Sequence, residues 1–212
     1  EAGGNPWLTV GTDLNHSRKC IQLAEKYPDI YAAVGIHPHD AKDLNAAALE
    51  ELKQLARKPN VVAIGETGLD FFKDYSPRQD QRRAFAAQLK IARELSLPVI
   101  IHSRQAFDDT IDVLNHHGSG IEKVVFHCFG GSAEQAKTVL KKGWHISFTG
   151  VITFNNAEKT RQAAKTVPLE RLMLETDCPF MSPEPMRKQK INEPALMIHT
   201  AQKLTELKNT PL

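Results

Sequence analysis

Short apolar runs alternate along this chain with longer segments whose apolar positions recur every three or four residues. The runs at residues 7–11, 30–35, 61–65, 98–102, 123–129, 145–149 and 171–175 read as strands, each followed by a polar or glycine-bearing loop. The segments at 15–26, 44–57, 77–95, 105–116, 133–141, 157–166 and 193–207 read as helices. Leu44, Ala48, Leu52 and Leu55 form one apolar stripe at helical spacing, and Phe85, Leu89 and Ala92 form another; both predict core faces. Two helix starts are signalled. Ser76-Pro77-Arg78-Gln79 offers a capping serine, a first-turn proline and a capping-box glutamine, and Ser132 with Gln135 repeats the box.

Strands that alternate with helices predict an α/β fold with a parallel sheet, and seven such units in this length fit a (β/α)8 TIM barrel better than an open doubly wound sheet. No G-x-G-x-x-G follows a strand and no P-loop is present. No linker rich in Pro, Gly or Ser interrupts the chain, so residues 1–212 are expected to form one domain. A full barrel needs eight strands and only seven are found, while the chain opens at Glu1 without a Met. The expectation is a barrel that lacks its first strand.

Composition narrows the class. With 41% hydrophobic and 25% charged residues the chain is globular, not disordered or fibrous. No apolar run is long enough to span a membrane, and residues 1–12 carry no signal-peptide pattern. Three scattered cysteines without C-x-x-C spacing suit a reducing compartment, and a cytoplasmic location is expected. The net charge of +2 announces neither a nucleic-acid nor a membrane binder, yet leaves room for a local basic groove.

The chemistry lies at strand ends, which a parallel barrel gathers in one mouth. The strand at 61–65 runs into Glu66, that at 98–101 into His102, that at 123–126 into His127, and that at 172–174 into Glu175-Thr176-Asp177. One glutamate, two histidines and one aspartate make an oxygen and imidazole ligand set for Zn²⁺, Mn²⁺ or Mg²⁺. If alternation persists past the strand ends, Asp177 and Glu175 share the inward face, and Cys128 and Cys178 become packing residues, which argues against a cysteine nucleophile. His37 reads either as a substrate or phosphate contact or as a loop residue, and His39 is weaker. Arg104, two residues past His102, either holds a phosphate bidentately or is a surface arginine of the next helical turn.

The motifs Gly35-Ile36-His37-Pro38-His39, Gly65-Glu66-Thr67-Gly68-Leu69-Asp70, His102-Ser103-Arg104, Phe126-His127-Cys128-Phe129, Thr149-Gly150-Val151-Ile152-Thr153-Phe154 and Glu175-Thr176-Asp177-Cys178-Pro179, with Asn192-Glu193-Pro194 after them, resemble in this order the TatD-type metal-dependent DNases among the amidohydrolase-like TIM barrels. The resemblance covers nearly the whole chain. It implies a hydrolase of DNA phosphodiester bonds that uses one or two divalent metal ions. It also implies that Glu66 is a metal ligand able to bridge two ions and that His102 and His127 bind one metal. Asp177 would lie near the other and orient or deprotonate water. The chain departs from the pattern in three places. The His-x-His of the family's first strand is missing, Ile191 stands before Asn192 where Arg is frequent, and members usually continue past Leu212.

The leading expectation is therefore a metal-dependent deoxyribonuclease in which Asp177, with Glu175 nearby, takes a proton from water and His37 and Arg104 hold phosphate oxygens. Two other readings stay open. One is a metallohydrolase of another ester or amide on the same site, since fold does not fix function. The other is an inactive, truncated barrel. DNA is the expected partner. No membrane and no obligate protein partner is indicated, and the oligomeric state is left open.

Overall fold

The computed structural model describes residues 6–211; the opening residues Glu1 to Gly4, from which a missing upstream strand is expected, lie outside them. The chain forms two compact units, the first ending at Val125 and the second beginning at Phe126. Its strands run β1 Trp7–Val10, β2 Ile30–Val34, β3 Val61–Asp70, β4 Val99–Arg104, β5 Val124–Phe126, β6 His145–Phe148 and β7 Leu172–Leu174. They follow one another in sequence order in the sheet. The helices between them are α1 Leu14–Lys26, α2 Ala46–Ala56, α3 Arg78–Leu95, α4 Phe107–His117, α5 Ala133–Lys141, α6 Glu158–Thr166 and α7 Met197–Lys208.

In the first unit β1 to β4 pair in parallel, with Trp7 opposite Ile30 and Ile64 opposite Val99. Their inner positions, Ala32, Ala33, Val34, Ile64 and Ile101, are fully buried, as are Leu52 of α2 and Phe85 and Leu89 of α3. Both predicted helical stripes thus supply core. In the second unit β6 and β7 pair in parallel, Ile146 opposite Leu172. Phe126 stacks on Trp144 with ring centroids 6.0 Å apart, and Phe129 meets Phe148 edge-on at 6.4 Å. Burial of such rings supplies most of the driving force for packing.

Two local expectations need correction. Strand β3 does not stop at Gly65 but continues to Asp70, after a register irregularity between Ile64 and Thr67. The second half, poor in apolar residues, pairs Gly68 with His102 and Asp70 with Arg104. The capping box at Ser132 forms in full, with the Ser132 hydroxyl accepting from the Gln135 N–H and the Gln135 side chain accepting from the Ser132 N–H. The one at Ser76 does not form. Its hydroxyl instead donates to the His39 carbonyl at 2.7 Å and accepts the Lys42 N–H at 3.1 Å, which ties the 3₁₀ helix Pro38–Asp43 to the start of α3. Among the described residues no helix is long and apolar enough to cross a membrane.

Candidate metal centre

Three segments of the first unit converge, the residues after β2, the middle of β3 and the second half of β4. The segment after β2 is fixed by backbone and side-chain bonds: the His37 N–H donates to the Thr12 carbonyl at 2.7 Å, and the Ile36 N–H donates to Gln88 Oε1 at 2.8 Å. The Gln88 amide returns a bond to the Ile36 carbonyl at 3.0 Å. Glu66 sits at the irregularity in β3, where its N–H donates to the Gly11 carbonyl at 2.8 Å. The flanking glycines permit this close packing. A Cβ on Gly65 would lie 2.6 Å from Ile100 Cβ, and one on Gly68, whose φ is +139°, would collide with the His102 carbonyl oxygen. His102 arrives on β4 beside them.

The result is a compact donor cluster. His102 Nδ1 lies 2.7 Å from Glu66 Oε1, and His37 Nε2 lies 3.5 Å from the same oxygen. One ligand atom from each of His37, Glu66 and His102 falls within 4.8 Å of the other two. Burial pushes the His37 imidazole below its ordinary pKa, and the Glu66 carboxylate opposes that shift. A neutral imidazole has a lone pair to offer a cation.

Behind this cluster lies a carboxylate. Asp70 is fully buried. Its Oδ2 is 3.1 Å from His102 Nε2 and 3.0 Å from His39 Nε2, while its Oδ1 accepts the N–H groups of Phe72 and Lys73 at 2.9 and 2.8 Å. Burial alone would raise the Asp70 carboxyl. The bonds from His102, the Lys73 N–H and His39 together outweigh it and hold the group well below the usual carboxylate range. His102 thus stands between two carboxylates, Glu66 at its Nδ1 and Asp70 at its Nε2; a proton held on Nε2 by Asp70 would leave the Nδ1 lone pair for a cation. That carboxylate–histidine arrangement is the one that orients metal-binding imidazoles. The donor set therefore fits a divalent ion.

Three more predicted residues lie in the second unit. His127 Nδ1 is 3.4 Å from Glu175 Oε2, and the other Glu175 oxygen accepts the Cys128 N–H. Asp177 has a left-handed backbone, φ +54°, on a loop tied by Asn192, whose amide donates to the Thr176 and Phe180 carbonyls, both at 2.7 Å. Strand β7 ends at Leu174, so alternation lapses before Asp177. For that reason Cys178 is exposed and not a packing residue. Burial, reinforced by the Glu175 and Asp177 charges, pushes the Cys128 thiol up to about 12, so it is no nucleophile.

The predicted residues thus fall into two local groups. Glu66 and His102 come together with His37, which joins them as a possible ligand beyond its expected contact with substrate. His127 pairs with Glu175. Arg104 stacks its guanidinium over the Phe72 ring at 4.0 Å. Sequence reasoning passed over Asp70 and underrated His39. It also missed Gln81 and Gln88, both fully buried on α3. The signal for the glutamines was present, since each falls on the apolar face that carries Phe85, Leu89 and Ala92.

Parallel βα units whose strand ends carry imidazoles and carboxylates define the TIM-barrel hydrolases of the metal-dependent kind. The chain belongs to the TatD related DNase family, which matches residues 1–212. An uncharacterized metal-dependent hydrolase, YabD of Bacillus subtilis, is 41% identical over 95% of this chain and 78% of its own length. The 3'-5' ssDNA/RNA exonuclease TatD of Escherichia coli K12 is 36% identical over 96% of this chain and 80% of its own. Among solved structures, the TatD homologue YJJV of Escherichia coli K12 superposes with a TM-score of 0.92. It is 35% identical and covers 99% of this chain and 81% of that one.

Proposed function

We propose that this chain hydrolyses phosphodiester bonds in nucleic acid, DNA first, with one or two divalent ions (Mg²⁺, Mn²⁺ or Zn²⁺). The observation that carries the reading is the His37, Glu66 and His102 donor cluster with Asp70 set behind His102. The exonuclease named among its relatives supports the substrate class. In this reading Glu66 and His102 hold metal in the first unit, with His37 beside them, His127 and Asp177 are the metal-holding residues of the second, and residues 1–212 serve as one hydrolase domain. A bound ion would lower the pKa of water and neutralise charge on the scissile phosphate.

The chain's own residues do the remaining work. Asp70 holds the Nε2 proton of His102 and so leaves the Nδ1 lone pair, beside Glu66, for a cation. Asp177 takes a proton from water, with Glu175 nearby as a second carboxylate. Arg104, its guanidinium over the Phe72 ring, presents a cation to phosphate. Three free cysteines suit a reducing, cytoplasmic setting.

The test is cleavage of a single-stranded DNA oligonucleotide with Mg²⁺ or Mn²⁺. The expected result is metal-dependent cleavage that falls about a hundredfold or more in Glu66→Ala, since loss of even an outer partner of a metal site costs about ten- to a hundredfold. A Glu66→Ala protein as active as the parent overturns the assignment.

A further inference from the structure

The loop that follows Asp70 carries an aromatic and cationic rim. Phe72 and Tyr75 are 49% and 57% exposed, far more than rings of their size need be. Single exposed apolar residues are ordinary on a protein surface. Here, however, two rings stand three positions apart and cations attend both. The Arg104 guanidinium lies 4.0 Å from the Phe72 centroid, and Lys73 Nζ lies 5.7 Å from the Phe72 ring and 5.8 Å from the Tyr75 ring.

The rim is also rooted in the metal centre. The N–H groups of Phe72 and Lys73 both donate to Asp70 Oδ1, and Asp70 Oδ2 holds His102. On the other side Tyr75 meets His39 edge-on at 4.8 Å, and His39 meets His37 at 4.2 Å. The exposed rings are thus one residue's breadth from the groups that would hold metal.

We infer that Phe72 and Tyr75, with Lys73 and Arg104, form a stacking subsite for unpaired bases of a single-stranded nucleic acid. The inference rests on the nucleic-acid reading above and adds to it a place where bases, not phosphates, are gripped. Aromatic faces take up any base without reading its edge, and adjacent cations hold the backbone that links successive bases. Bases inside a duplex already stack on one another and have no face to offer. The subsite therefore selects single strands without reading sequence.

The experiment compares two fluorescently labelled oligonucleotides in the presence of chelator, by anisotropy: a single-stranded 12-mer and the same strand with abasic residues. The parent should bind the normal strand about tenfold more tightly than the abasic one. Phe72→Ala and Tyr75→Ala should each weaken binding of the normal strand about tenfold and leave binding of the abasic strand nearly unchanged. Tyr27→Ala is the matched control, because Tyr27 is also exposed, also lies beside a lysine, Lys26 at 5.0 Å, and precedes β2 at the opposite end of the strands. Equal binding of both strands by the parent, or no effect of either rim substitution, overturns the subsite. A parallel cleavage assay with Mn²⁺ separates the two claims. An oligonucleotide left intact by the parent defeats the hydrolase reading. Cleavage by the parent and both rim variants with the same KM defeats the stacking subsite alone.

Discussion

Asp70 is the residue on which most of the first unit's polar geometry depends. It has four partners, two imidazoles and two backbone N–H groups, and it is sealed from solvent. Asp70→Asn keeps the shape and removes the charge. It should lower affinity for Mn²⁺ or Zn²⁺ by about ten- to a hundredfold in calorimetry, because the amide no longer fixes the Nε2 proton of His102. Asp70→Ala should go further and cost about 2 kcal/mol or more in urea unfolding, the value of hydrogen bonds to a charged group left unmade. Sequence pattern places this residue past the end of a strand, because the apolar run stops at Gly65 while β3 runs on, equally buried but more polar, through Thr67, Leu69 and Asp70. The carboxylate gains its meaning from two histidines 31 and 32 positions away in the chain. No local signal could report that pairing.

At the scale of elements, β3 and β4 lie close together because glycine allows it. Gly68→Ala adds a Cβ where the His102 carbonyl already sits and forces a non-glycine into φ +139°. A loss of about 3 kcal/mol is expected, read as a lowered urea midpoint, since strain of this kind alone costs about 1–3 kcal/mol. Ser132→Ala should cost about 1 kcal/mol by the same measurement, the usual worth of such a cap. The two capping signals in the sequence looked alike, and only one formed. Ser132 keeps its hydroxyl at the helix start, where it accepts the Gln135 N–H, whereas Ser76 spends its own on the carbonyl of His39 and the N–H of Lys42. Every strand and helix core was legible from periodicity, since burial on one face is what periodicity records. The ends were less so, because there the polar chemistry of the site replaces the apolar pattern.

At the scale of the whole molecule, ligands gathered from distant stretches of chain link metal binding to folding. An ion held by the folded chain and not by the unfolded one stabilises it by about 2.7 kcal/mol at a hundred times its Kd. Adding Mn²⁺ or Zn²⁺ should therefore raise the Tm of the parent and leave Glu66→Ala unmoved, as followed by circular dichroism. Acid should act in the opposite sense. His37 and Asp70 both have depressed pKa values in the folded chain, so the unfolded chain binds the extra protons. Stability should be full above about pH 6.5, fall below it as unfolded histidine protonates while His37 stays neutral, and fall again below about pH 4 as unfolded aspartate protonates. Urea midpoints measured in chelator from about pH 8 down to about pH 2 would show this two-stage decline.

The two buried glutamines of α3 bear on how such a protein can change. Gln88 grips both polar groups of Ile36, next to His37, and Gln81 grips both of Asp70 as well as the Ser76 carbonyl. They stand seven positions apart, two helical turns, so one rigid rod of about 10 Å sets where both backbone segments lie. The loop between Phe71 and Tyr75 hangs outside that jig. Its side chains can drift from aromatic to polar over generations, and the taste for substrate with them, while the grip on the ion stays in tune.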